Sequence, residues 1–550
     1  MSTVPSKNEP PEAVDSAPDA SSCDPETAKP APANPTFQRG PRFWAIIATL
    51  CVMGILSSLE NTVVTTSLPF IVDELELGEN YIWVNNVFFL TSAAIQPLFG
   101  QLANIFGRRY VTLAIVALFT LGSGIAGGAT NGATLIAGRA LQGMGGGGIN
   151  MIIDVIVSDL VPLRERGNYM AYVLGVYFVG LAIGPYVGGA IIENTTWRWV
   201  FYINLPFGAL SLLMILLFLH VTHNKNTTIT QKLKRIDYPG NTLLIASTVS
   251  ILYALTYAST RYPWPSYRIL VPLLLGLAGL VSFVYLESRP FITEPVVPPR
   301  LFSNRTSAII FFVTFLNAML LYWVLFFLPV YFQAVLLSSP SRSGVQLLPV
   351  IIIFVPVAII AVLLLAKFGK YKPLHVFGFG VSTLGIGLFA LLDKNTTTAE
   401  WVVFEIIAAG GSGFVLNTLL PACQAPLEEK DQAAATATWS FVRSFGAIWG
   451  VAIPAAIFNN YIERNVGMVG DEGVRGLLLG GDAYGLATAA WVGSLEEVVR
   501  EQVRDLYTGA LRQLWLVGIA FSAASFLAVF GERQIKMRTE LETEFGLEEK

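Results

Sequence analysis

Glu60 stands in a stretch, residues 43–70, that is otherwise almost wholly apolar. An ionisable side chain inside such a stretch costs several kcal/mol unless it is paired or solvated in a cavity. A carboxyl held there can take up and release a proton as its access to water alternates; a structural carboxyl paired with an arginine is the competing reading. Arg139 lies a third of the way into residues 132–157, followed by Gln142, Gly143 and a glycine run from Gly145 to Gly148. Its guanidinium keeps its charge, so it can tune a nearby carboxyl or bind an anionic group, while the glycines permit close contact and bending. Asp154 is near the far end of the same stretch, where interfacial solvation competes with a role in proton coupling. Arg443 lies ten residues into 433–460, beside Trp439, Phe445 and Gly446. Glu405, one turn from an end of 401–422, is expected to snorkel to the surface.

Other chemistries have little to stand on. The sequence has no Gly-x-x-x-x-Gly-Lys-Ser/Thr loop to cradle ATP, and its three histidines, His220, His223 and His375, fall at expected helix ends. Without a nucleophile–base constellation, an enzyme is not expected, nor a metal or cofactor. Cys23, Cys51 and Cys423 are placed too far apart in type of surroundings to suggest a disulfide framework. A net charge of −3 gives no hint of a nucleic-acid partner.

The elements that must position these residues follow from composition. Of 550 residues 53% are hydrophobic and only 13% charged, against about 25% charged in soluble proteins, and mean hydropathy is +0.59. The apolar residues form blocks of about 20, enough to cross a hydrocarbon core of about 30 Å as helices. Hydropathy places spans near 43–70, 81–103, 109–128, 132–157, 168–192, 199–220, 238–258, 268–287, 306–337, 343–366, 373–392, 401–422, 433–460 and 511–531. An all-α polytopic membrane protein of about fourteen spans is expected. Residues 1–40, rich in Pro, Ala, Ser and acids, read as a disordered tail, and 533–550 form a second tail at the other end. Between them come a six-helix bundle over 41–222, two inserted helices with linkers over 223–300, and a second bundle over 301–532. The loop 461–510 is long; its later part, Leu486 to Leu514, reads as an amphipathic helix over the outer mouth.

Orientation follows from the basic residues. Arg108, Arg109, Arg164, Arg166, Lys232, Lys234, Arg235, Lys367, Lys370, Lys372, Arg533, Lys536 and Arg538 all fall on one side, whereas short loops opposite hold only Arg198, Arg261, Arg268, Arg342 and Lys394. The positive-inside rule then puts both termini in the cytoplasm. Sequons at Asn194 and Asn395 fall outside, where glycans attach. An internal echo links Phe106-Gly107-Arg108-Arg109-Tyr110 with Phe368-Gly369-Lys370-Tyr371-Lys372, at matching places in the two bundles. Repeated halves are a transporter architecture.

Residues 168–192 hold Gly180, Gly184 and Gly188 at every fourth position, with Pro185 and Gly189 beside them. In lipid a small-residue face lets a second helix approach closely, and Pro185 marks a bend. A helix that rocks against its neighbour is the expectation. Aromatic and polar residues on the 306–337 and 433–460 spans suit a large apolar solute; Asn61, Gln142, Asn317, Tyr322, Trp439 and Arg443 are the candidate cavity lining.

These motifs together resemble the major facilitator superfamily, in its fourteen-span drug:proton antiporter branch of the fungal efflux-pump type. Gly100-Gln101-Leu102-Ala103-Asn104-Ile105-Phe106-Gly107-Arg108-Arg109 resembles the superfamily's cytoplasmic loop motif, with Asn104 where Asp is usual. Leu59-Glu60-Asn61-Thr62-Val63 through Leu68-Pro69 resembles the first-span motif, with Glu60 for the usual Asp. Arg139-Ala140-Leu141-Gln142-Gly143 is similar to the fourth-span motif linked to proton transfer, and Gly180–Gly189 to the antiporter motif. Trp197-Arg198-Trp199 through Asn204-Leu205-Pro206 resembles the entry to span six. The resemblance covers 42–532 and implies a monomeric exporter of the plasma membrane, with a vacuolar or vesicle membrane as the alternative. It would exchange protons for hydrophobic drugs, toxins or secondary metabolites by alternating access, without a cofactor. A proton-coupled transporter of a charged nutrient or iron chelate is the alternative within the same fold.

Overall fold

The apolar blocks become helices, and at several of them a local cap fixes the start. Asn131 accepts a hydrogen bond from Thr134 N at 2.9 Å where one helix begins, and Asn304 does the same for Thr306 N at 2.8 Å. Thr397 and Glu400 form a reciprocal capping box. The computed structural model describes residues 40–75, 77, 82–220, 228–258, 262–289, 292, 294–428, 431–479 and 482–538. The expected tails 1–40 and 533–550 lie mostly outside the described residues, as do His223 and the sequence around it.

Fourteen long helices lie among the described residues. They are α1 Pro41–Glu74, α2 Ile82–Phe106, α3 Arg108–Gly127, α4 Gly132–Leu160, α5 Arg166–Asn194 and α6 Arg198–Phe218. The inserted pair is α7 Tyr238–Tyr257 and α8 Tyr267–Glu287. Then come α9 Arg305–Val330, α10 Leu348–Phe368, α11 Lys372–Phe389, α12 Thr398–Leu416, α13 Gln432–Asn465 and α14 Glu497–Val529. Twelve are long and apolar enough to cross a membrane. The other two, α2 and α11, carry Asn85, Asn86, Gln96, Gln101 and Asn104 or His375, Ser382 and Thr383, which lower their hydropathy. Both are packed into the bundle between more apolar helices.

The two bundles repeat each other at their helix crossings. A Cβ on Gly122 of α3 would lie 2.3 Å from Gln142 N, and one on Gly145 of α4 2.5 Å from Phe119 N. In the second bundle a Cβ on Gly385 of α11 would lie 2.5 Å from Ala408 N, and one on Gly411 of α12 2.2 Å from Ser382 N. Likewise Gly180 and Gly184 of α5 meet Ser58 and Thr62 of α1, while Gly446 and Gly450 of α13 meet Phe315 and Met319 of α9. Helices α1, α3, α4 and α5 thus correspond in order to α9, α11, α12 and α13. Gly107 and Gly369, the glycines of the echoed loops, both take positive φ, 90° and 65°, a conformation that glycine adopts without strain.

Three expectations change. The stretch 497–529 is one unbroken helix, α14, rather than a capping helix followed by a span. The segment before it, expected as a loop, joins the core of the second bundle. Val469, Val474, Leu478, Ala483, Ala487 and Val492 are buried with Val503, Leu506 and Tyr507 in the core of the second bundle, because those apolar residues have no other shelter. Glu405 does not snorkel: it is fully buried on α12.

Candidate functional site

Glu60 faces the interior of the first bundle at the meeting of α1, α2, α4 and α6. Its Oε1 accepts from Arg139 Nη1, and its Oε2 accepts from Asn204 Nδ2 at 2.5 Å. Arg139 Nη1 also donates to Gln142 Oε1 at 2.7 Å, and Arg139 Nε to the Val84 carbonyl at 2.8 Å. Gln142 Nε2 passes the network on to Ser123 Oγ on α3 at 2.8 Å. The Phe88 ring lies 4.4 Å from the guanidinium carbon and the Phe201 ring 5.9 Å, close enough for cation–π attraction. Glu60 is 1% exposed and Arg139 3%.

The glycines of α4 allow this closeness. A Cβ on Gly143 would fall 2.4 Å from the Phe88 carbonyl oxygen and one on Gly147 2.1 Å from that of Ser92, so α2 is held against α4 and Val84 reaches the guanidinium. Burying an ion pair commonly costs as much in lost hydration as the attraction returns. Such a pair is therefore weak evidence for stability alone, and a proton on Glu60 would cancel its charge and free Arg139.

Gln142 is fully buried within this network rather than lining a cavity. Trp439 is likewise 2% exposed, its Nε1 donating to Thr314 Oγ1 at 3.0 Å. What it offers is a face: the Arg443 guanidinium carbon sits 4.6 Å from its ring centre. The Arg443 charge acts on both Asp154 of α4 and Tyr322 of α9. Asp154 is buried, not solvated at an interface. Asn317 is buried on α9. The side chains of Asn61 and Pro185 lie outside the described residues.

A third cluster sits at the Gly107 turn. Arg108 Nε donates to Asp159 Oδ2 at 2.6 Å, and Arg108 Nη1 to the Ala103 carbonyl and to Asn104 Oδ1, each at 3.0 Å. The ion pair that Asn104 could not supply is thus made with Asp159 of α4, a partner the loop sequence does not reveal. Arg109 Nη2 donates to the Leu216 carbonyl at 2.7 Å. Gly100 faces the other bundle, where its Cβ would lie 2.3 Å from that of Ala437.

The bundles are joined on this same side. Arg166 Nη1 donates to Gln424 Oε1 at 2.7 Å and Gln424 Nε2 to Ser158 Oγ at 3.0 Å, while mid-way along α2 and α13 Gln96 Nε2 donates to Ser444 Oγ at 3.0 Å. Arg164 donates to the carbonyls of Ala366 and Lys367, each at 2.7 Å. Arginine side chains predicted only as topology markers are therefore the latch. Toward the other end α5 exposes Val179, Ile183 and Tyr186. There Glu74 accepts from Trp197 Nε1 at 2.8 Å and pairs with Arg198 at 2.6 Å, tying α1 to α6.

Residues 50–451 match the family model described as Major Facilitator Superfamily. The chain belongs to the major facilitator superfamily. Within that superfamily it is 50% identical to the MFS-type transporter TwmF of Talaromyces wortmannii, over 94% of each chain. It is 45% identical to the MFS efflux transporter aclA of Aspergillus oryzae and 42% to the efflux pump FUS6 of Gibberella fujikuroi, each over 93% of both chains. Among solved structures it resembles the human organic anion transporter MFSD10 with a TM-score of 0.57 at 12% identity, covering 89% of this chain and 100% of that one. The proton:xylose symporter XylE gives 0.55 at 13%, covering 91% and 98%. Both likenesses speak for the fold.

Proposed function

We propose that this superfamily member is a proton-driven exporter of hydrophobic small molecules such as drugs, toxins or secondary metabolites. The sealed Glu60–Arg139 pair carries the reading, and the efflux pumps among its relatives supply the direction. The latch at the Gly107 side and the exposed α5 face opposite correspond to a state open to the outside. A proton reaching Glu60 from there releases Arg139, loosens α1 against α4 and favours return to the inward-open state. Substrate then binds at the polar centre of Asp154, Tyr322 and Arg443. An inward-directed proton gains about 2.3 kcal/mol per 100 mV of membrane potential, enough for a useful concentration ratio.

The fourteen long helices are taken as fourteen spans, with both termini cytoplasmic and a monomer in the plasma membrane. Asn194 and Asn395 are exposed at the opposite side and would accept glycans; a mobility shift on glycosidase treatment, lost in the Asn194→Gln/Asn395→Gln variant, checks that orientation. The function is tested in inverted vesicles given an acid lumen and a panel of hydrophobic compounds. Wild type should accumulate one or more of them, and Glu60→Gln should not. Wild-type accumulation by Glu60→Gln would remove Glu60 from the coupling step.

A further inference from the structure

The repeat of the two bundles extends to the residues that bear charge. Glu60 follows Ser58 by two positions on α1, and Asn317 follows Phe315 by two on α9. Arg139 precedes Gln142 by three positions on α4, and Glu405 precedes Ala408 by three on α12. The crossings on which this register rests agree at both pairs of glycines. In the second bundle a non-ionising amide therefore stands where the first has its carboxylate, and a carboxyl stands where the first has its arginine.

Glu405 is fully buried, and neither Oε1 nor Oε2 has a hydrogen-bond partner. Trp401, Ala408 and Ala409 of the same helix lie in an apolar core with Phe332, Ile386 and Phe389. Among the described residues, the helices packed on α12 bring no counter-charge to its level. On α10 the one ionisable residue is Lys367, at the Gly369 end; on α11 they are Lys372 and His375, also at that end, the latter 2.9 Å from Glu532. On α9 Arg305 begins the helix at that same end, and Tyr322 lies beside Arg443. On α12 itself Glu400 is engaged in the cap of Thr397, and at the outer rim Lys394 is paired with Glu501 and Asp505.

We infer that Glu405 is a second proton-binding carboxyl, seated in the α9–α14 bundle and independent of the Glu60–Arg139 pair. An unpaired ion buried there would cost several kcal/mol, so the group is neutral only by keeping its proton. The first bundle balances its charge internally; the second balances it with a proton taken from water and returned to water, with no other group changed. The place of this proton in a transport cycle rests on the exporter reading, whereas its presence on Glu405 does not.

Infrared spectra of the full chain in lipid vesicles at neutral pH test this directly. In difference spectra of wild type minus variant, a carbonyl band of a protonated carboxylic acid should appear for Glu405→Gln and for Glu405→Met, should persist when the same difference is taken in the Glu60→Gln background, and should shift after transfer to deuterated buffer; the difference removes the contribution of other buried carboxyls such as Glu287. Difference spectra that show no such band for either Glu405 substitution overturn the assignment. A band that appears in them but never shifts in deuterated buffer overturns exchange with water. Two substitutions of different polarity guard against one that fails to fold. Failure of the vesicle-uptake test at Glu60 would leave this band in place, so the two readings fail separately.

Discussion

Replacing Arg139 with methionine keeps most of the side-chain volume and removes the guanidinium from a buried site. Glu60 Oε1, Gln142 Oε1 and the Val84 carbonyl then lose their donor together, while Asn204 still serves Oε2. Breaking a buried pair by removing one partner costs about 3–5 kcal/mol. Each further stranded acceptor adds about 1–3 kcal/mol unless it finds a new partner. Arg139→Met should therefore lose at least about 3 kcal/mol of unfolding free energy, measured by denaturant titration in detergent. Glu60→Gln/Arg139→Met removes the charge that Arg139→Met exposes, and the amide oxygen introduced by Glu60→Gln can still accept from Asn204. The double variant should regain a good part of the loss, with a coupling of about 1–3 kcal/mol, yet remain unable to accumulate substrate against a pH gradient. Additivity of the two single losses to within about 0.5 kcal/mol would refute the pair as an energetic unit.

Other outcomes follow from single contacts. A Cβ on Gly184 would lie 1.8 Å from Thr62 Oγ1; Gly184→Ala should cost about 1–3 kcal/mol as overpacking does, and Thr62→Ala in the same chain should recover much of it in a thermal-unfolding assay. Asp159→Asn should leave Arg108 without its carboxylate and slow uptake in vesicles, and Asn104→Asp added to it should restore uptake, because Asn104 Oδ1 already lies 3.0 Å from Arg108 Nη1. Outside the membrane, the Arg198 guanidinium, helped by the Trp197 indole, holds the Glu74 carboxyl below its ordinary value. A lowered value means that the contact stabilises the fold above the ordinary range and is lost as pH falls through the lowered one. Wild type should thus unfold at a higher temperature than Glu74→Gln at neutral pH, with the gap closing well below about pH 4.

Much of the architecture was legible because a membrane helix must be both long and apolar, and that pattern survives in one sequence. The helices α2 and α11 show its limit: their Asn, Gln and Ser residues are tolerated because neighbouring helices shelter them. Glu60 and Arg139 were legible singly, as charges that apolar stretches do not carry without cause. Their pairing was an open alternative, since no pattern within α1 or α4 reports which faces meet. Asp159, Asn204 and Gln424 were missed; an acid at a helix end or an amide beside a proline has no periodic signature, and only the fold supplies its partner. Glu405 was misjudged for a related reason. Distance along the helix from the expected surface suggested snorkelling, but Val469, Val474, Leu478, Ala483, Ala487 and Val492 join Trp401, Ala408 and Ala409 in one apolar core at that end.

The glycine stripe of α5 has a different task from the rocking contact that its sequence suggests. Gly180 and Gly184 lie against Ser58 and Thr62 of α1, in the same bundle, and Gly446 and Gly450 of α13 lie against backbone carbonyls of α9. Contacts this close interlock and do not slide, because any shift drives Cα atoms into side chains or carbonyls. Between the bundles the joints differ in kind. Arg164, Arg166 and Gln424 hold them through hydrogen bonds at helix ends, which water can replace one at a time at little net cost. Motion should therefore be concentrated where the bundles meet, with each bundle moving as a body. It follows that Arg164→Ala/Arg166→Ala, which loosens the latch without touching Glu60, should raise the accessibility of a cysteine placed at Ala437, beside Gly100, to a membrane-impermeant maleimide added from the Gly107 side. Gly184→Ala should leave that labelling unchanged while lowering stability. Equal labelling in wild type and the latch variant would show that these arginines do not hold the bundles together.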